Sequence, residues 1–134
     1  FALWEAKRNP GAKVVNEPGA FGWNELYTPD IEASRKFYTA MFGWTLKVSP
    51  EYTEAHVGKQ AIAGMMQLTP EMSGMPPSWM PYFVVSDADD VVRKVKAGKG
   101  QVHVGPKDIP NVGRFAIVAD PQGAGFAVIQ LTNR

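Results

Sequence analysis

The strongest candidate for chemistry in this sequence is a single acid that stands between aromatic residues. Residues 23–27 read Trp-Asn-Glu-Leu-Tyr. Alternate side chains of a β-strand share one face, so Trp23, Glu25 and Tyr27 are predicted to point the same way. Burial among aromatic rings raises the pKa of a carboxyl group, which would suit Glu25 to act as a general base or to bind a cationic ligand. The alternative is that the rings pack a core and that Glu25 forms an ion pair with a Lys or Arg.

Other signatures of catalysis are weak or missing from the sequence. The two histidines, His56 and His103, lie on predicted strands in different halves of the chain, and a lone strand histidine is usually hydrogen-bonded rather than metal-bound. The chain has no cysteine, which excludes thiol nucleophiles and disulfide frameworks. It also lacks the Gly-x-Ser-x-Gly, His-Glu-x-x-His, P-loop and Gly-x-Gly-x-x-Gly motifs.

Two helices and eight short strands are predicted to position these residues. Asp30 and Gly43 are typical of the start and stop of a helix over Asp30–Phe42, and Asp87 with Gly98 marks a second helix over Asp87–Ala97. Alternating or short apolar runs predict strands at 21–27, 44–48, 52–57, 60–68, 79–85, 101–104, 114–119 and 126–131. The predicted order is therefore βαβββ, twice.

The two halves also resemble each other in sequence. A shift of 57 positions aligns Asp30 with Asp87, Lys36 with Arg93, Ala40 with Ala97 and Gly43 with Gly100. The identities among these pairs lie at the helix caps and stops, which the backbone geometry of a duplicated unit would preserve. The alternative is that any two strand–helix units share such signals.

Composition narrows the class of protein. The 134 residues are 45% hydrophobic and 20% charged, which is typical of a globular domain. The net charge of +1 argues against a nucleic-acid partner. No apolar run approaches the ~20 residues of a membrane span, so no membrane partner is expected. We expect a cytoplasmic protein, since the absence of cysteine and of a visible signal peptide fits that compartment.

The beginning of the chain resembles its end. Phe1–Ala6 is similar to Phe126–Leu131, the predicted last strand. Either this is chance, or residues 1–19 are a closing-strand-like segment and linker ahead of a domain at 20–134, with modules at about 20–70 and 78–131. A free apolar strand edge tends to pair, so we expect a homodimer or a tandem pseudo-dimer.

Several motifs together resemble one superfamily. Asp30–Tyr38 followed by Phe42-Gly43-Trp44, and the turn Asp120-Pro-Gln-Gly, are similar to motifs of the glyoxalase/bleomycin-resistance/extradiol-dioxygenase (vicinal oxygen chelate, VOC) superfamily. Residues 23–30 and 63–66 resemble its tandem-domain branch, labelled glyoxalase-like or "putative hydroxylase". The resemblance implies an α+β fold in which two βαβββ modules form a cupped mixed sheet with the helices outside.

The resemblance also implies where a divalent metal would be held. The superfamily places His, Gln or Glu ligands on four strands. Here three of those places hold Trp23, Met80 and Ala127, and the fourth falls near Met66 or Gln67. Trp, Met and Ala offer no donor to a hard divalent cation. We therefore expect no metal and no cofactor, with a metal held by unrecognised ligands as the alternative.

The remaining feature of the implied cup is an apolar, aromatic lining suited to a small hydrophobic or aromatic molecule. Its candidate residues are Trp23, Glu25, Tyr27, Met66, Met80 and Tyr82. The first hypothesis is a metal-free binding domain. The second is an enzyme, a lyase, dioxygenase or hydroxylase-like protein, which uses a metal or Glu25 as an acid–base group.

Overall fold

A computed structural model describes residues 1–72 and 74–132 of the chain, so residues 73, 133 and 134 of the predicted domain lie outside the described residues. The described residues form eight strands, two α-helices and one short 3₁₀ turn at Pro70–Met72. In chain order they are β1 Phe21–Thr28, α1 Ile31–Phe42, β2 Thr45–Val48, β3 Thr53–Val57, β4 Gln60–Gln67, β5 Ser78–Val84, α2 Ala88–Ala97, β6 Gln101–Ile109, β7 Gly113–Ala119 and β8 Gly125–Leu131. This order confirms the α+β class and the paired βαβββ arrangement.

Both helices begin where the sequence predicts. The Asp30 carboxylate accepts a 3.0 Å hydrogen bond from the amide of Ala33, and the Asp87 carboxylate accepts one of 2.9 Å from Asp90. Each bond satisfies an amide that has no partner within its own helix, which is why Asp is favoured at this position. Helix α1 ends at Gly43, whose φ of 66° is in the left-handed region where glycine pays no steric cost.

Residues 23–80 form one compact unit. Its strands lie in the order β2-β3-β4-β1, with β1 parallel to β4 and the other pairs antiparallel. The core of this unit consists of Leu26, Ala55, Ala63 and Met65, and Ile31 and Tyr38 of α1 pack against it. Helix α1 thus covers one face of these four strands.

The second compact unit combines residues 1–22 with the described part of 81–134. Here the strand order is β5-β8-β7-β6, and α2 packs through Val92 on a core of Ala116, Val118 and Val128. Strand β6 is longer than the predicted 101–104. It continues to Ile109, with two register shifts in its pairing with β7. Pro106 lies at the second shift. A proline, which has no backbone N–H, is tolerated at such an irregularity in a strand at the end of the sheet order.

Residues 1–19 contain no helix or strand. Phe1, Leu3 and Trp4 are 72%, 71% and 68% exposed. Near its end this segment joins β5 of the same unit, where the Gly19 amide donates to the carbonyl of Val84 at 2.8 Å. The pairing of Phe1–Ala6 as a closing strand stays a prediction about a longer or dimeric protein. Within the described residues, neither helix has the length and apolar character needed to cross a membrane.

Candidate functional site

Glu25 is the centre of a small hydrogen-bonded cluster in the unit of residues 23–80. Its side chain is on β1, and the residue is only 5% exposed. The Tyr52 hydroxyl donates a 2.7 Å hydrogen bond to Glu25 Oε2, and the Trp23 indole N–H donates one of 2.9 Å to the same oxygen. The Trp23 N–H also lies 3.1 Å from the Tyr52 oxygen. The three side chains therefore form a closed triangle around one carboxylate oxygen.

Strand pairing places this cluster on the sheet face that α1 does not cover. Leu26 pairs with Met65 and both are in the core beneath α1, so their neighbours Glu25 and Gly64, which also pair, face the other way. The next strand continues this face, because Glu54 of β3 pairs with Gly64. Sequence alternation thus predicted correctly that Glu25 and Leu26 lie on opposite faces.

Gly64 makes the contact between Tyr52 and Glu25 possible. A Cβ atom on Gly64 would lie 1.7 Å from the Tyr52 oxygen, 2.4 Å from Tyr52 Cζ and 2.7 Å from Glu25 Oε2. The Tyr52 ring therefore rests directly on the backbone of β4. Sequence reasoning missed both Tyr52 and Gly64, although a glycine inside a strand is a signal of close approach by another group.

Burial controls the protonation of this cluster. It raises the pKa of Glu25 above the ordinary value of 4.5, and the hydrogen bonds from Tyr52 and Trp23 oppose that rise only in part. The pKa of Tyr52 is also raised, first by burial and then by the negative charge of Glu25. Tyr52 therefore keeps its proton at neutral pH and acts as a neutral donor.

The predicted alternative, an ion pair of Glu25 with Lys or Arg, is wrong for the described residues. None of the ion pairs in residues 1–72 and 74–132 includes Glu25. Its partners are two neutral donors instead. An acid that is buried without a cation is unusual in a purely structural core, and such groups are enriched at functional sites.

The other predicted lining residues are all at least half-buried, but they lie on three strands and in both compact units. Tyr27 is two positions further along β1, is 2% exposed and pairs with the half-buried Met66 of β4. Met80 is buried in β5 at the end of the same unit. Tyr82 is buried too but belongs to the second unit. Trp23 is the predicted residue that directly contacts Glu25; the roles of the others stay predictions.

The histidines are separate from this cluster. His56 Nε2 lies 2.6 Å from the carboxylate of Glu54 on the same strand. That contact fits the hydrogen-bonded strand histidine expected from the sequence. His103 is exposed on β6, in the second unit.

The places where the resemblance implies metal ligands do not fit a hard divalent cation. Trp23 uses its N–H toward Glu25, and Met80 and Ala127 are buried without an oxygen or imidazole donor. In the described part of the chain, no three His, Cys, Asp or Glu side chains come together in a way that could hold a metal ion. The donor set thus disagrees with the metal centre that the resemblance implies.

The sequence of this chain matches one protein family and several curated proteins. Residues 20–128 match the family model described as glyoxalase/bleomycin resistance protein/dioxygenase superfamily. The chain is 42% identical over 133 residues to "Putative glyoxylase CFP32" of Mycobacterium tuberculosis, which covers 96% of this chain and 50% of that protein. It is 37% identical over 128 residues to "Anthracycline biosynthesis protein DauV" of Streptomyces sp. strain C5, covering 83% of this chain and 46% of that protein.

The chain thus spans about half the length of the curated relatives it matches. A solved structure gives the same fold. The superfamily member from Vibrio splendidus 12B01 superposes with a TM-score of 0.58 at 18% identity, over 83% of this chain and 99% of that one.

Proposed function

The chain belongs to the glyoxalase/bleomycin resistance protein/dioxygenase superfamily. Since this fold hosts many chemistries, the function has to be argued from the site. We propose that the chain is a metal-free domain that binds a small aromatic molecule. The proposed binding surface is the sheet face that carries Trp23, Glu25 and Tyr52. Trp23 would supply stacking area, and Glu25 would supply one buried polar anchor.

The observation that carries this proposal is the state of Glu25. An acid at 5% exposure whose partners are the neutral donors Trp23 and Tyr52 costs stability, because burial disfavours its charge. Leu26, the next residue, packs the core without any such cost. Packing therefore does not explain why an acid is buried here, whereas a hydrogen bond from Glu25 to a ligand would.

The name of one relative supports the aromatic character of the ligand. The Streptomyces protein is named for anthracycline biosynthesis. Anthracyclines contain fused aromatic rings, which are planar. Trp and Tyr side chains stack on planar rings in offset or edge-to-face geometry. A flat aromatic molecule is therefore the first class to test.

An NMR titration tests this function. Indole, quinoline and daunorubicin, an anthracycline, are each titrated with the protein and with its variants, and the affinity is measured from the ligand signals. In the wild type the Trp23 indole N–H signal is followed as well. We expect saturable binding that shifts this signal and that weakens at least about tenfold in Trp23→Ala, since aromatic anchors dominate such sites. Trp4→Phe, a change in the exposed segment at residues 1–19, is the matched control and should bind as the wild type does. If none of the probes binds saturably, the proposed function is wrong.

Metal analysis tests the metal-free part. We expect less than stoichiometric Zn, Mn, Fe and Ni in protein purified without a His tag and without added metal. The reason is that Trp23, Met80 and Ala127 offer no suitable donors. Stoichiometric metal that survives dialysis would contradict this part of the proposal.

One observation favours a second function, proton transfer by Glu25. Burial raises its pKa, the direction that makes a carboxylate a stronger base, and Tyr52 is in hydrogen-bond contact with it. With a bound carbonyl compound, exchange of the adjacent C–H proton in D₂O would reveal this activity. Exchange that is abolished in Glu25→Gln, while binding is retained, would support the enzyme over the binding domain.

A further inference from the structure

The Tyr52 phenol occupies a slot on the face of the sheet that carries Glu25. Gly64 forms the floor, and the phenol is so close to it that a Cβ there would lie 2.4 Å from Tyr52 Cζ. Two polar groups meet the hydroxyl: the Glu25 carboxylate accepts from it at 2.7 Å, and the Trp23 N–H lies 3.1 Å from its oxygen. The slot thus matches a six-membered aromatic ring with one hydroxyl group.

Tyr52 enters this slot from outside the strand ladder. Strand β3 begins at the next residue, Thr53, and Tyr52 follows a turn in which the Ser49 amide and hydroxyl both donate to the Tyr52 carbonyl, at 2.8 and 3.0 Å. Rotation of the Tyr52 side chain would therefore break its bonds to Glu25 and Trp23 but no bond between strands. The slot would then be open with the same floor and the same polar groups.

We propose that the slot over Gly64 is a binding site for phenolic ligands and that the Tyr52 side chain fills it when no ligand is bound. This inference rests on the proposed function, because it names the chemical class of its aromatic ligand. A phenol reproduces each contact of Tyr52: its ring lies on Gly64, its hydroxyl donates to Glu25, and its oxygen accepts from Trp23. An aromatic ether of the same shape cannot donate, so it would leave Glu25 without that partner.

Tyr52 competes with the ligand in this arrangement, which makes a clear test possible. The probes are 4-methylphenol, which is the Tyr side chain itself, and 4-methylanisole, which has the same ring without the hydroxyl donor. Tyr52→Ala removes the competing side chain and should tighten the binding of 4-methylphenol by at least about tenfold. The reason is that the ligand no longer has to displace Tyr52 from the slot before it binds. The affinity for 4-methylanisole should rise less. Adding Gly64→Ala to Tyr52→Ala should abolish the gain, because the new methyl group fills the floor of the slot.

A measurement on the wild-type protein keeps the test independent of the stability of these variants. Saturating 4-methylphenol should shift the ring resonances of ¹³C-labelled Tyr52 toward those of an exposed tyrosine and should shift the Glu25 carboxyl signal. The ring resonances of Tyr38, a residue of α1 that packs on the other face of the sheet, should not move.

The inference is overturned if Tyr52→Ala gains no affinity for 4-methylphenol, if 4-methylanisole binds equally well, or if the Tyr52 resonances stay unchanged at saturation. In each of these cases indole or quinoline would still bind through Trp23 if the proposed function is correct. Failure of every aromatic probe, by contrast, would remove the proposed function together with the inference.

Discussion

Tyr52 donates a 2.7 Å hydrogen bond to Glu25 across an intervening strand, although 27 positions separate the two residues in sequence. Strand β4 lies between β3, which begins beside Tyr52, and β1, which carries Glu25. The Tyr52 side chain reaches over β4 at Gly64, the point where a side chain would block it. This contact joins a residue beyond the end of one strand to a buried acid in another and defines the candidate site.

Gly64→Ala is expected to lower the free energy of unfolding by about 1–3 kcal/mol, the usual cost of inserting a methyl group into a packed site. The new Cβ would overlap the Tyr52 oxygen and force the ring away from Glu25. Urea denaturation measures the loss. Gly105→Ala is the matched control, since nothing lies within 4 Å of a Cβ there and its effect should be small. Equal effects at the two glycines would show that Tyr52 does not rest on β4.

The stability contributed by Glu25 is expected to fall as the pH rises. Its pKa is higher in the folded protein than the ordinary value of 4.5 because burial disfavours the charge. Between 4.5 and the folded pKa the folded state binds more protons than the unfolded state, so the free energy of unfolding decreases with pH in that window. Below 4.5 the contribution of the protonated group is complete.

Chemical denaturation of the wild type and of Glu25→Gln at a series of pH values checks this prediction. The glutamine keeps an acceptor for Tyr52 and Trp23 but does not titrate, and the other carboxylates cancel in the difference. The wild type should lose stability relative to Glu25→Gln as the pH rises through the window. A difference that is flat or that grows in favour of the wild type would contradict a raised pKa.

Tyr52→Phe is expected to raise the pKa of Glu25 further. The Tyr52 hydroxyl bond stabilises the charged carboxylate, and its removal leaves Trp23 as the remaining donor described for this oxygen. A titration followed by the ¹³C signal of the Glu25 carboxyl measures the change. Tyr38→Phe is the control, because the Tyr38 oxygen accepts from Trp79 beneath α1 and does not contact Glu25. A lower pKa in Tyr52→Phe would mean that the hydroxyl favours the neutral acid.

Asp30→Ala and Asp87→Ala are each expected to cost about 1 kcal/mol of unfolding free energy, because each removes the side-chain acceptor at the start of a helix. Thermal denaturation followed by circular dichroism measures both. Lys36→Ala, an exposed change inside α1, should cost much less. Effects that are the same for all three variants would argue against capping.

Local signals in the sequence were sufficient for the elements of the fold. Helix α1 begins after Asp30 and ends before Gly43. An N-terminal acceptor and a left-handed C-terminal residue set these ends because they satisfy backbone groups within one turn of the chain. Strand alternation placed Glu25 and Leu26 on opposite faces for the same reason: the pleat depends only on neighbouring residues. Where tertiary pairing intervenes, the bounds differ, as in β6, which runs past the predicted Val104 to Ile109 through two shifts in its pairing with β7.

Tertiary structure alone decided what Glu25 contacts. The sequence identified a buried acid beside Trp23, but the choice between an ion pair and a neutral donor depends on which strand lies next to β1 and on what crosses it. Pairing of Glu25 with Gly64 is a long-range event that no local pattern encodes, and it is this pairing that brings Tyr52 to the carboxylate. The physical reason is that a hydrogen bond requires about 3 Å between two atoms, a distance that local periodicity cannot set for residues far apart in the chain.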